Sequence, residues 1–220
     1  MKKITIIDYK MSNMFSLENA LKSLGYQAVV SNDKKTLLES DITILPGVGA
    51  FPEAMQKLNH FDLIKPIKDF VDQSKILIGI CLGMHLLFEF SNEFEHTQGL
   101  GLIKGSVTKI NNLNNNIVIP HMGWNNLIID NNQSFKDFNY KKFYFVHSYY
   151  VKDYDDEDLV SFTNYFNIAI PSIIKKKNIL TFQFHPEKSG KNGMEFFKKF
   201  NSLWVLDQEL FPHYLLRKIN

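Results

Sequence analysis

A chain of 220 residues, 45% hydrophobic and 22% charged, can bury a core of its own without disulfides or structural metal. Its 25 basic and 23 acidic residues leave a net charge of +2 with no single long lysine block, which argues against a nucleic-acid footprint. The single cysteine rules out an intrachain disulfide, no stretch is apolar enough to span a bilayer, and the first apolar run meets an Asp too soon for a signal peptide. A cytoplasmic enzyme is the expectation.

Residues 4–7 read as a buried strand, followed by a helix over about 13–24 that stops at Gly25. Residues 27–30 form a second strand and 42–45 a third, ending at Pro46-Gly47. A helical region covers 52–72, and 76–80 is an apolar strand running into Cys81 and a helix over 82–90. This alternation predicts an α/β fold, a largely parallel sheet with helices on both faces. Residues 107–110, 117–119, 143–146, 159–162 and 179–184 read as short strands, antiparallel additions before a last helix at about 194–200. Residues 111–116 and 153–158 read as solvated loops; the acidic one lacks the glycine and spaced Glu of a calcium loop, so no metal is expected. With no repeat and no linker, one domain is expected.

Gly79-Ile80-Cys81-Leu82-Gly83 follows a strand and opens a helix, the arrangement of a nucleophile elbow. Glycines two before and two after relieve crowding at such a turn, and a helix N-terminus favours a thiolate over a thiol. A lone cysteine often packs as a small hydrophobe; the flanking glycines shift the balance toward chemistry.

A thiolate nucleophile needs a proton carrier. His185-Pro186-Glu187 follows a strong strand, where parallel-sheet enzymes place their chemistry. In extended chain, residues two apart project to the same side, so Glu187 can reach the far nitrogen of His185 and fix its tautomer. The third part is Pro46-Gly47-Val48-Gly49 after a strand end, where backbone N–H groups can turn toward a developing oxyanion alongside the Leu82 N–H. Taken alone, His-Pro-Glu can be a surface tripeptide and Pro-Gly an ordinary turn. Their weight comes from the set.

In this order the motifs resemble the class I glutamine amidotransferases. Residues 46–51 (PGVGAF), 79–84 (GICLGM), 99–103 (GLGLI), 120–125 (PHMGWN), 145–149 (FVHSY) and 185–189 (HPEKS) are similar to the glutaminase subunits of imidazole glycerol phosphate synthases, across about residues 4–200. The resemblance implies that Cys81 attacks the glutamine side-chain amide, with His185 and Glu187 managing the proton. It implies oxyanion donors at Val48 and Leu82, and a glutamine pocket lined by Gly49, His85, Ser148 and Tyr149. It further implies a heterodimer with a cyclase-type (β/α)₈ synthase subunit that receives the ammonia, contacted by Asn13, Met122, Gly123, Trp124 and Lys188. Packing in a core is the other reading of Trp124. No cofactor, metal, nucleic acid or membrane is implied.

The chain departs from the family pattern in three places. His85 stands where the family has Gln, four residues after the nucleophile and one helical turn away on the same face. Its hydrogen-bonding geometry differs from that of an amide, and a subunit that has lost turnover through it is one reading. Lys10-Met11-Ser12-Asn13 replaces a Gly-x-Gly-Asn opening, losing both glycines. Residues 201–220 extend past the usual end, with Trp204, Leu206, Leu210, Phe211, Tyr214 and Leu215 available to pack on residues 1–200 or on a partner. The altered opening and tail leave two ammonia acceptors open, one in histidine biosynthesis and the other an N-acetyl sugar for surface polysaccharide.

Overall fold

The computed structural model describes residues 2–12, 14–111, 117–130 and 132–201. The first half alternates as expected, apart from α2, which the sequence reading did not include: β1 (Lys3–Ile7), α1 (Phe15–Ser23), β2 (Gln27–Ser31), α2 (Lys34–Leu38), β3 (Ile42–Gly47), α3 (Phe51–His60), α4 (Ile64–Asp72), β4 (Ile76–Cys81) and α5 (Leu82–Leu86). Short strands follow: β5 (Phe90–Ser91), β6 (Thr97–Gln98), β7 (Ser106–Lys109), β8 (His121–Asn126), β9 (Ile128–Ile129), β10 (Lys142–His147) and β11 (Tyr149–Lys152). Then come β12 (Leu159–Tyr165), β13 (Ile168–Lys176), β14 (Ile179–Phe182) and α6 (Gly190–Lys198).

Eight strands form the main sheet in the order β2-β1-β3-β4-β14-β13-β12-β9. Pairing is parallel from β2 through β14 and antiparallel from β14 to β9. β3 and β4 are buried at every position, as a parallel strand covered on both faces requires. Successive side chains feed two cores. Ile4, Ile6, Ile42, Ile44, Ile76 and Ile78 pack on one face with Phe182 and Phe184, while Ile7, Leu45 and Leu77 pack on the other with Phe51 and Phe70. Two smaller units stand beside this sheet: a β10–β8 ribbon and a four-stranded sheet in the order β11-β7-β5-β6.

Several boundaries differ from the sequence reading for identifiable reasons. The helical region at 52–72 is two helices, broken where Asp62 takes a positive φ of 52°. The helix after Cys81 ends at Leu86 because the N–H groups of Leu100, Leu102 and Gly101 capture the carbonyls of Leu86, Leu87 and Phe88. Residues 117–119 are not a strand; β8 begins after Pro120, which has no N–H for a ladder. β11 and β13 were not anticipated. β13 carries Pro171, opposite Phe162 where the β12 register slips, so the missing donor falls at an irregularity. The acidic stretch at 153–158 is tied down rather than merely solvated: Asp155 pairs with Lys104 at 2.7 Å and Lys176 at 3.2 Å, and buried Asp158 lies 3.3 Å from Lys176. Asn13, residues 112–116 and the tail from 202 onward, with its six apolar residues, lie outside the described residues.

Candidate active site

β3, β4 and β14 are neighbours at the centre of the sheet, and their C-terminal ends point the same way. That edge is where an open α/β sheet leaves a crevice. Cys81 is both the last residue of β4 and the residue before α5, with φ 54° and ψ −112°. A side chain in this region strains the backbone by about 1–3 kcal/mol, and such strain persists only where packing enforces it. Here the enforcement is steric. A Cβ on Gly83 would overlap the Leu45 carbonyl, and one on Gly79 would lie 2.8 Å from the Gly83 oxygen and 2.9 Å from Met84 Cα. Both positions must be glycine for the turn to close.

Beyond β14 the chain is pinned before it reaches His185. The His185 N–H donates to Tyr144 O at 2.9 Å, and Ser189 Oγ donates to His185 O at 2.6 Å. Pro186–Lys188 then makes one tight 3-10 turn, which brings Glu187 Oε1 to 2.7 Å from His185 Nδ1. Both side chains are largely buried, at 4% and 11% exposure. Burial alone would lower the His185 pKa. The negative charge of a Cys81 thiolate and the Glu187 carboxylate outweigh it and raise the imidazole to about 10. The arrangement therefore favours the imidazolium form of His185.

Cys81 and His185 line a cavity of about 320 Å³. Val48, Gly49, Leu82, His85, Ser148 and Tyr149 line it too, so the residues expected to hold substrate converge on the sulfur. Lys188, expected at a partner interface, also reaches this cavity and is exposed. Leu82 heads α5, so its N–H is among those a helix leaves unbonded internally. The Val48 N–H instead donates to Met11 O at 2.9 Å. In this conformation it is engaged, and it reaches an oxyanion only if that bond is exchanged. Met122 and Trp124 do not line the cavity; they stand exposed on β8, Trp124 at 52% with its ring edge-on to Tyr144, so Trp124 is not core. Gly123 between them has a φ of 140°.

His85 is buried, and burial pushes its imidazole down to about 4 despite the opposing hydrogen bond it makes to Gln183. A neutral ring whose Nε2 lies 2.8 Å from Gln183 Oε1 must donate there, which turns the Gln183 amide nitrogen toward Cys81 Sγ at 4.0 Å. Cys81 Sγ itself lies 3.8 Å from Val146 O.

Three wall residues escaped the sequence reading: Glu93, Val146 and His147. Glu93 is buried beside the cavity, its Oε2 accepting from the Phe51 N–H at 2.8 Å, and burial raises its carboxyl pKa. Its place depends on two-residue β5 and on the start of α3, neither of which leaves a local signal. His147 and Val146 sit inside the FVHSY motif but were not singled out. Among the described residues no cluster of His, Cys, Asp or Glu could hold a metal ion, and no helix is long and apolar enough to cross a membrane.

A cysteine on a strained strand-to-helix turn, with a His–Glu pair beside it at the centre of the sheet, is an arrangement that can perform nucleophilic chemistry. The family model for glutamine amidotransferase class-I matches residues 5–203, and the chain belongs to that family. Its relatives narrow the family further. The imidazole glycerol phosphate synthase subunit HisH of Lactococcus lactis subsp. lactis is 45% identical over 202 residues, covering 91% of this chain and 98% of that one. Subunit HisH 2 of Vibrio vulnificus is 43% identical over 212 residues, 94% and 97% of the two chains. Among solved structures, PurLQS from Thermotoga maritima superposes with a TM-score of 0.70 at 20% identity, covering 92% of this chain and 100% of that one. A crystal structure of a glutamine amidotransferase gives the same TM-score at 15% identity, over 90% and 99%. At these identities the structures speak to the fold.

Proposed function

We propose that this chain is the glutaminase subunit of a two-protein synthase, with Cys81, His185 and Glu187 as its triad. The observation that carries the reading is one cavity bounded by Cys81 Sγ and by the His185 ring, whose Nδ1 is held by Glu187 at 2.7 Å. The Cys81 thiolate attacks the side-chain amide carbon of glutamine. His185 gives its proton to the departing nitrogen, and ammonia leaves a glutamyl thioester. His185 then takes a proton from water, which attacks the thioester; glutamate and the thiolate result. Leu82 N–H, and Val48 N–H once released from Met11 O, stabilise the oxyanion. Glu93, with Gly49, Ser148 and Tyr149, supplies polar groups for the amino-acid end of the substrate.

The ammonia passes to a cyclase-type synthase subunit docked over exposed Met122 and Trp124 and the Gly123 between them, with Lys188 nearby; that the relatives are named as synthase subunits supports a synthase partner. Residues 1–200 form the amidotransferase domain. The test is glutamate release from glutamine by the purified chain, alone and with its cyclase subunit and that subunit's ligand. Stimulation by the partner is expected, together with its loss in Cys81→Ala. Full turnover in Cys81→Ala, or no stimulation by the partner, would sink the proposal. Offering imidazole-pathway and N-acetyl-sugar acceptors side by side identifies where the nitrogen goes.

A further inference from the structure

The cavity wall at residues 146–149 is held from behind by hydrogen bonds that the triad does not use. His147 Nδ1 lies 2.8 Å from Tyr149 O, and a carbonyl only accepts, so this nitrogen carries the proton. Burial drives the His147 pKa well below its usual value, leaving a neutral ring whose Nε2 is an acceptor. His121 Nδ1, 2.8 Å away, donates into it. His121 is likewise held neutral by burial, and its Nε2 accepts from Asn125 Nδ2 at 3.0 Å. The chain of bonds has one direction throughout: Asn125 to His121 to His147 to the Tyr149 carbonyl.

The backbone explains what this chain controls. β10 pairs with β8, with His147 directly opposite His121, whereas β11 pairs with β7. Ser148 is thus the corner at which the chain leaves one unit for another, and its carbonyl accepts from Ile110 N–H at 2.9 Å. The His147 side chain spans that corner from within. His121 is buried, stacks on Tyr165 and Phe145 with ring centroids 4.0 and 4.8 Å away, and does not line the cavity.

We propose that His121 is a positioning residue for the substrate pocket, holding the Ser148–Tyr149 corner in register through its hydrogen bond to His147. This rests on the glutaminase reading of the same cavity. His121→Phe keeps a ring to stack on Tyr165 and Phe145 but gives His147 no proton. His121→Asn places an amide N–H near the lost Nδ1–H. In steady-state glutamine hydrolysis with the partner present, His121→Phe is expected to raise KM for glutamine by about tenfold with a much smaller change in kcat. His121→Asn should recover most of that loss.

A wild-type KM in His121→Phe, or an Asn variant as impaired as the Phe variant, overturns the inference. If the Phe variant does not fold, long-range ¹⁵N spectra of the wild-type histidines decide. His121 and His147 must both appear at neutral pH as the Nδ1–H tautomer, and either ring found protonated or as the Nε2–H tautomer overturns the inference. A wild-type protein that hydrolyses no glutamine would count against the glutaminase reading alone, since the tautomers are read without turnover.

Discussion

Replacing Glu187 by Gln removes one negative charge from the back of His185 while keeping the shape of the side chain. The bond that exchanges a charged acceptor for a neutral one is a buried, 2.7 Å contact between groups that are 4% and 11% exposed. The difference between a hydrogen bond to a charged partner and one to a neutral partner is about 1–1.5 kcal/mol, which corresponds to a fall of about 5- to 13-fold in kcat/KM. The pH profile supplies a second reading of the same loss. His185 is raised from 6.5 to about 10: burial pulls it down, and the Cys81 thiolate and Glu187 more than offset that. A raised folded-state value means that the stabilisation of the imidazolium is complete below about 6.5 and is lost as pH rises through about 10. Without Glu187 the ring releases its proton earlier, so the alkaline limb of glutamine hydrolysis moves to lower pH. Glutamate release followed from neutral to strongly alkaline pH measures both effects. A variant with unchanged kcat/KM and an unmoved alkaline limb would refute the role given to Glu187.

Gly83→Ala forces a Cβ onto the Leu45 carbonyl; a cost of about 1–3 kcal/mol should lower Tm by about 2–12 °C in a thermal melt. An unchanged Tm would mean that the elbow can relax. His85→Gln replaces the imidazole by an amide and releases Gln183 from its 2.8 Å contact with the ring. KM for glutamine should fall by about 2- to 10-fold, the worth of one neutral hydrogen bond, and an unchanged or higher KM would show that His85 already serves the pocket. Trp124→Ala removes a half-exposed indole from β8. Titration calorimetry against the cyclase subunit should show affinity weakened by about 30-fold or more, whereas unaltered affinity would place the interface elsewhere.

What was legible in the sequence is what local chemistry encodes. Cys81 between Gly79 and Gly83 follows from turn sterics, and the structure brings it to one cavity with His185; the His185–Glu187 contact forms as expected, but a 3-10 turn over Pro186–Lys188 makes it rather than the extended chain the sequence suggested. The apolar runs of β1, β3 and β4 announced themselves because parallel central strands are buried on both faces. β13 did not, because Pro171 and two C-terminal lysines disguise it as a loop, and only the irregular pairing with β12 makes room for the proline. Glu93 and the His85–Gln183 contact were illegible for another reason. Each depends on residues distant in sequence meeting through packing: Phe51 with Glu93, and α5 with the end of β14. The engaged Val48 N–H belongs here as well, since nothing in PGVG indicates that Met11 O will claim it.

The order of strands in the main sheet has a consequence for how the protein is made. β4 arrives early from the ribosome, with β3 already available on one side, but its other neighbour is β14, the last strand among the described residues to emerge. From the completion of β4 until β14 is made, the nascent chain therefore presents an unpaired central edge and a Cys81 with neither His185 nor its far cavity wall. The missing strand closes that edge and delivers His185 and Glu187 in the same event. Edge protection and the proposed catalytic set arrive together, so a truncated or stalled product is adhesive and lacks His185 and Glu187.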